Sequence, residues 1–444
     1  MKKILALILT TALAAGLTAC ASGTSQPQTT NFSSAAQGGT ASGAAGETAD
    51  ETAAENESGQ GDKELLVGRF SGGTADFQKR RIGEYTKAAV TIDDIDYSSM
   101  KEKLVLSFQS AKGTSGNYDV VAVNGPWMTE FVEAGYLMPI DDVASACGID
   151  LESYDQKLLG NLEYDNQLYG LPFFLQCMVC AYDTAKFQEL GLTVPENYQE
   201  LVETAAALKA DGSGIALPAA QANGAYTVWS QLLYSAGGYP VADGSLAINS
   251  EACVAAAQRY QELVSYACEG SLGWGNEGVV AALQSGNAAL GVMMSGNNGY
   301  LHDPSASAIT ETVAYFPFYG YEDQASANQT YWVWAIPANC ADPQAAMEFI
   351  AWACSYEMER QQTLDTLAIS GIPALAQDEE ILEAVPFANI VMGEFNQGRR
   401  DPANANFDSL KSDMTVLLSE LATGGDAQKL LDELQAKHGG KDWS

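Results

Sequence analysis

The chain has 444 residues, with 56 Asp and Glu against 22 Lys and Arg and a formal net charge of −34. Such acidity argues against nucleic acid and anionic lipid as partners, because both repel a negative surface; a small ligand answers instead to local groups. With only His302 and His438, the chain cannot build a histidine metal cluster or an H-E-x-x-H site, and it contains neither G-x-S-x-G nor a G-x-x-x-x-G-K-[ST] phosphate loop. A pair of carboxylates for glycoside hydrolysis remains open among so many acids.

The first residues are those of an export signal. Lys2 and Lys3 precede a short apolar run, 4–17, too short to anchor in a bilayer, and the run ends in Leu17-Thr18-Ala19-Cys20. Small residues before a cysteine at this place resemble the lipobox of bacterial lipoproteins. The resemblance implies a signal peptide at 1–19 and a lipid-carrying Cys20 that anchors the chain to the membrane. Residues 20–62 are Ser, Thr, Ala, Gly, Gln and Glu with almost no large apolar side chains. They cannot bury enough surface to fold and are expected to form a tether reaching about 35 Å.

About 380 residues remain, more than one core usually holds, so two lobes are expected. Residues 64–70 read as a strand, followed by the turn Ser71-Gly72-Gly73 and a helix beginning near Asp76. Residues 90–97 alternate as a second strand, and a helix with Met100, Leu104 and Phe108 follows. Residues 119–125 form a buried third strand, and Pro126-Trp127 opens the next helix. This β-α-β-α-β-α order predicts a parallel sheet with helices on both faces. Ligands sit at the carboxyl ends of such strands, where Ser71 and Trp127 fall.

Gly170 and Pro172 then mark a turn, and 173–181 is a continuous apolar run with the length of a strand buried on both faces. We read it as a crossing from one lobe to the other. Asp183 or Thr184 caps a helix ending at Gly191, and Asn197 with Glu200 starts another. Helices are expected at 226–236, 251–266 and 277–284. Strands are expected at 288–294, 313–317 and 331–337. Asp342 with Pro343 caps a further helix, and two helices, 408–421 and 426–436, close the chain. Seven cysteines follow Cys20, an odd number at irregular spacing. Cys177 and Cys180 lie inside the buried run and read as small apolar side chains, while a Cys253–Cys268 bridge stays open.

Several segments in this order resemble the solute-binding proteins of bacterial ABC importers, in the sugar-binding family that includes maltodextrin-binding protein. They are Ser71-Gly72-Gly73, Tyr118-Asp-Val-Val with Trp127, Gly135-Tyr-Leu-Met-Pro-Ile-Asp141, and Tyr169-Gly-Leu-Pro-Phe173 through Asp183. Leu190-Gly-Leu-Thr-Val-Pro195, Gly286-Asn-Ala-Ala-Leu-Gly-Val-Met-Met294 and Asp342-Pro-x-x-Ala-x-x-Phe349 complete the set. The resemblance covers nearly all of 63–438. It implies an α/β fold of the two-lobe, periplasmic-binding-protein-like class II type, with a hinge and an interlobe cleft. Lobe I would be 63–174 plus 315–354, and lobe II 175–314 plus 355–440. The implied function is non-enzymatic: a monomer without cofactor or metal binds a mono- or oligosaccharide and delivers it to a membrane permease. Alternatives are a non-sugar solute (polyol, peptide, polyamine or phosphorylated sugar), a glycan sensor, or an extracellular glycan hydrolase.

A pyranose offers an apolar face to aromatic rings and hydroxyls to amides and charged groups. Candidate stacking residues are Trp127, Trp229, Trp274 and Trp332, each equally open to a core role. Trp334 shares a sheet face with Trp332 by alternation. By resemblance, Gln176 lies where the first crossing meets the cleft, with Ser71 and Gly72 at the first strand end. Asn297 and Asn298 follow a strand that ends in the cleft, and Arg399, Arg400 and Phe407 lie in a late cleft segment. Familiar members often carry Trp where this chain has Asn297 and Asn298, and its next aromatic is Tyr300. Arg399 and Arg400 are the only clustered basic pair suited to an anionic ligand, which favours a neutral sugar.

Overall fold

The computed structural model describes residues 63–404 and 406–443. The expected signal peptide, Cys20 and the tether lie outside the described residues. β1 (Glu64–Phe70) leads into α1 (Gly73–Arg81), β2 (Ala89–Ile95) into α2 (Tyr97–Phe108), and β3 (Val120–Asn124) into short helical turns. β4 (Leu171–Gln176) and β5 (Met178–Asp183) follow, then α3 (Thr184–Leu190), α4 (Tyr198–Ala210), α5 (Asn223–Ser235), α6 (Glu251–Ser265) and α7 (Asn276–Gln284). After β6 (Leu290–Met294), β7 (Val313–Pro317) and β8 (Thr330–Ala335) come α8 (Pro343–Ala353), α9 (Tyr356–Thr366), α10 (Glu379–Ala384) and α11 (Ala388–Gln397). α12 (Phe407–Ala422) and α13 (Ala427–His438) end the chain.

Local chemistry sets many of these ends. The Asp183 carboxylate accepts from Ala185 N, and Gly191 closes α3 at φ 66°. Asn197 accepts from Glu200 N, while the Glu200 carboxylate reaches back to Glu196 N at 2.9 Å. Asp342 caps α8 with Pro343 at its first position.

Two sheets organise the lobes. In lobe I the order is β2-β1-β3-β8-β4, with β1, β2 and β3 parallel and β8 antiparallel to both neighbours. In lobe II the order is β6-β5-β7, with β5 antiparallel to both. Parallel bridges Ala216–Gly291 and Ile215–Ala267 extend that sheet beyond β6. Alternation along β5 is visible in the packing. Met178, Cys180 and Tyr182 enter a core with α4, α5, α6, α12 and α13, whereas Ala181 faces a smaller core with α7.

The expected single strand at 173–181 is two strands. Cys177 leaves the ladder, donating its N–H to Ser295 Oγ and accepting from Ser295 N at 2.8 Å. The apolar run is continuous because each half is buried, first in the lobe I core and then in that of lobe II. The expected lobe boundaries also move. β7 stands in the lobe II sheet, so lobe I resumes at β8 rather than at 315. Residues 355–397, expected in lobe II, pack on lobe I: Ile369, Ile381, Phe387 and Val391 join its core, and Leu175 N donates to Ile369 O. Lobe II resumes with α12, whose Leu410 and Met414 enter its core. The chain therefore crosses three times, at 176–178, at 318–329 and from 398 to the start of α12. All seven described cysteines are free thiols, Cys253 and Cys268 among them.

Candidate ligand-binding cleft

A cavity of about 620 Å³ opens between the lobes, within the range of small-molecule sites. Its lobe I side is aromatic. Phe70 ends β1, Phe174 lies near the end of β4, Tyr97 opens α2 and Trp332 lies near the start of β8. The Phe70 and Trp332 ring centroids are 4.0 Å apart, and Tyr97 meets Trp332 edge-on at 5.9 Å. Trp127 lies behind, stacked on Tyr97 at 5.6 Å and 14°. The rings touch one another and form a continuous floor.

A buried cation supports that floor. The Arg69 guanidinium donates to Gln78 Oε1 and Thr74 Oγ1 at 2.8 and 2.7 Å. It sits 5.2–5.7 Å from the rings of Phe70, Phe173 and Trp334. Burial lowers its pKa, but an arginine stays protonated. Glu359, also buried, is pushed up to about 8 by desolvation, opposed by a Ser370 hydrogen bond and the Arg69 charge. Gly72, at φ 141°, lets the chain turn from β1 into α1 beside the floor, a conformation that L side chains rarely adopt.

The lobe II side is polar. It comprises Asn223 at the start of α5, Asn276 at the start of α7, and Gly296, Asn297, Gly299, Tyr300 and His302 after β6. Asn276 Oδ1 accepts from Met294 N. The side-chain amides of Asn223, Asn297 and Gln176 have no partner among the described residues. Gly296 allows close approach: a Cβ there would lie 1.9 Å from Gln176 Nε2 and 2.7 Å from Phe174. His302 Nε2 lies 2.9 Å from Tyr315 Oη, and burial lowers its pKa.

The cations lining the cleft are already engaged. Arg80 pairs with Asp365. Lys411 pairs at 3.4 Å with the buried Asp401, whose Oδ1 also accepts from Tyr226, Tyr234 and Asn328. Asp76 adds a carboxylate to the lining.

Of the sequence candidates, Ser71, Gly72, Gln176, Asn297 and Trp332 line the cavity. Trp127 is a second-layer ring beneath Tyr97. Several others are elsewhere. Trp229 is fully buried in the lobe II core because its helix turns that face inward, and Phe407 packs there edge-on to Tyr226. Trp274 packs half-buried beside Gly270 and Gly278 on the smaller lobe II core. Asn298 is fully buried with both amide atoms unpartnered, outside the cavity lining. Arg399 is exposed over the Tyr239 ring, and Arg400 donates to Asn161 O, so the basic pair is not in the cleft. Trp334 is core, packed on Phe173. Sequence reasoning missed Phe70, Tyr97, Phe174, Asn223 and Asn276; their signal was position at strand carboxyl ends and helix starts.

Three crossings make a hinge, and a cavity flanked by two α/β lobes at that hinge is the arrangement of a clam-shell solute-binding protein. The comparisons agree with that class. A family profile for bacterial extracellular solute-binding proteins matches residues 69–359, and the chain belongs to that family. A Deinococcus radiodurans protein described as a probable ABC transporter-binding protein is 22% identical over 362 residues, covering 77% of this chain and 84% of that protein. Among solved structures, maltose-bound T. maritima MalE3 superposes with a TM-score of 0.75 at 19% identity, covering 84% of this chain and 98% of that one. An Agrobacterium radiobacter K84 ABC solute-binding protein with ribitol gives 0.74 at 21% identity, covering 85% and 98%. UgpB from Mycobacterium tuberculosis with glycerophosphocholine gives 0.72 at 18%, covering 85% and 98%. The family is one of extracellular transport proteins rather than enzymes, which removes the hydrolase alternative. Among the described residues no helix is long and apolar enough to cross a membrane, and no group of three or more His, Cys, Asp or Glu is placed to hold a metal.

Proposed function

We propose that the chain is the lipid-anchored receptor of an ABC importer and that it takes a neutral carbohydrate between its lobes for delivery to the permease. The observation that carries this reading is the pairing of a continuous aromatic floor with unpartnered amides opposite. A pyranose or a short chain of them matches both, one face stacking while its rim accepts and donates hydrogen bonds. Ser71, Gln176, Asn297 and Trp332 are the proposed ligand contacts. The engaged states of Arg80 and Lys411 leave no free cation for a phosphate or carboxylate. The floor rings contact one another, leaving no open cage for a quaternary ammonium. Structural neighbours bound to maltose, ribitol and D-mannitol support a polyhydroxylated solute. Bridging both lobes, the ligand shifts the population toward the closed form. Anchoring at Cys20 follows from the lipobox and the tether.

The test is a thermal-shift screen of the chain from residue 20 with Cys20→Ser, against mono- and oligosaccharides, sugar alcohols, amino acids, polyamines and glycerophosphodiesters. Binding to the folded state raises Tm by mass action. We expect a shift from a saccharide; a shift confined to a charged solute refutes the ligand assignment and leaves the family. Incorporation of labelled palmitate into the full chain, lost in Cys20→Ala, tests the anchor.

A further inference from the structure

We infer that Glu394, which touches no part of the cleft, fastens the interlobe crossings to one another and so sets how readily the lobes open. It is a positioning residue for ligand capture. The inference rests on the closing motion proposed above.

Glu394 lies in the last turns of α11, 3% exposed. Its Oε1 accepts from Phe318 N at 2.9 Å, the first residue of the second crossing. Its Oε2 accepts from Gln231 Nε2 at 2.6 Å. Gln231, on α5 of lobe II, brackets Met178 of the first crossing, accepting from Met178 N at 3.2 Å and donating to Met178 O at 3.1 Å. The backbone carbonyl of Glu394 accepts from Ala327 N, late in the second crossing. Four residues onward begins the third crossing, where Arg399 N donates to Ala327 O and Arg399 O accepts from Gln329 N.

One side chain thus holds the second crossing directly and the first through Gln231, and its own backbone leads into the third. Separate strands at a hinge can twist independently; strands joined through one carboxyl must move together or break that joint. Both donors to the carboxyl, Phe318 N and Gln231 Nε2, are neutral, and each needs a lone pair, which a carboxyl oxygen supplies with or without its proton and an amide nitrogen does not. An amide there would set a donor against one of them. A cavity of about 410 Å³ behind the hinge, bordered by Tyr319, Asn389 and Gln397 with Glu394 in its wall, gives the segments room to rearrange. A comparable carboxylate, Asp401, ties Asn328 to α5, but none of its partners bonds the first crossing as Gln231 does, so it lacks the coupling geometry.

The experiment is hydrogen exchange by mass spectrometry on the ligand-free chain from residue 20, comparing wild type with Glu394→Gln and Gln231→Met. For Glu394→Gln we expect roughly tenfold faster exchange in peptides carrying Met178, Phe318 and Ala327. Peptides from β3 and β6 should be unchanged, and the ligand-free radius of gyration should rise. Gln231→Met removes both bonds to Met178 and the donor to Glu394 Oε2 but leaves Oε1 to accept from Phe318 N, so the first crossing should speed up while Phe318 keeps its protection. Uniform acceleration across β3 and β6 would show a merely structural role, and unchanged hinge peptides would show no coupling; either overturns the inference. The closing motion is tested separately, by wild-type scattering with the saccharide that raises Tm. Failure to compact there sinks the closing motion whatever the exchange pattern in the ligand-free variants.

Discussion

The two sides of the cleft are built on different principles. The lobe I floor is a set of packed rings on strand ends, backed by a buried guanidinium, and it is held together by protein contacts alone. The lobe II wall hangs amides on two helix starts and on the short segment after β6, and two of them, Asn223 and Asn297, have no partner among the described residues. A floor whose side chains are fixed by packing loses little entropy on binding. A wall of unpartnered amides gains only when the ligand satisfies it. For the carbohydrate proposed above, the difference implies an order of events: the solute stacks on lobe I, and the proposed closure then brings the lobe II amides to its hydroxyls.

The largest effect expected from breaking this asymmetry is at Trp332, the ring at the centre of the floor and only 4% exposed. Trp332→Ala should cost about 3–5 kcal/mol in stability and about 2 kcal/mol or more in affinity. Urea denaturation and calorimetry with the screened saccharide would check both. An unchanged affinity would mean that the floor is only core.

Next is the support beneath the floor. Glu359 has its pKa raised from 4.5 to about 8 by burial, so between those values the native state keeps a proton that the unfolded state has released. Its contribution is fully present below pH 4.5 and is lost as pH rises through about 8, on the order of 5 kcal/mol in all. Glu394, likewise raised from 4.5 to about 8 by burial, adds in the same direction. Glu359→Gln should flatten the dependence, read as urea midpoints at pH 5, 6.5 and 8; a parallel profile would assign the slope to other groups.

How much of this was legible depended on the kind of signal. Caps at Asp183, Asn197 and Asp342 and the buried crossing run were readable because each is local chemistry. The burial of Trp229 was readable too: Tyr226, Trp229, Leu232 and Leu233 share a helical face, and that period outweighs nearness to a turn. α9 was not, because Tyr-Glu-Met-Glu-Arg-Gln-Gln-Thr-Leu-Asp-Thr has too few apolar residues to show a face; its signal was the Ser355 cap, accepting from Met358 N. The floor escaped for another reason. Phe70 and Phe174 end strands whose apolar pattern already explains them, and only the sheet order brings them beside Trp332. Alternation correctly made Trp332 and Trp334 a pair, yet one lies at the cleft and the other in the core, because the strand runs from the sheet's edge into its interior.

On the wall, Asn223→Ala should cost about 1 kcal/mol of affinity, roughly fivefold, with stability nearly unchanged since its amide has no protein partner. A loss as large as at Trp332 would reverse the proposed order of events, making lobe II the first contact.

The smallest effect tests whether the two sides also hold each other. Lys101 on α2 of lobe I pairs with Glu130 at 2.6 Å and, across the cleft, with Asp408 in the first turn of α12. The pair is partly exposed, so its worth is about 0.5 kcal/mol. Lys101→Met should therefore weaken ligand binding about twofold at low ionic strength. At about 1 M salt, where the Debye length falls to roughly 3 Å, the difference should shrink. A salt-independent loss would mean that Lys101 acts through packing of its stem rather than as an interlobe latch. A gain in affinity would mean that the pair is made more tightly before the lobes close on the solute than after.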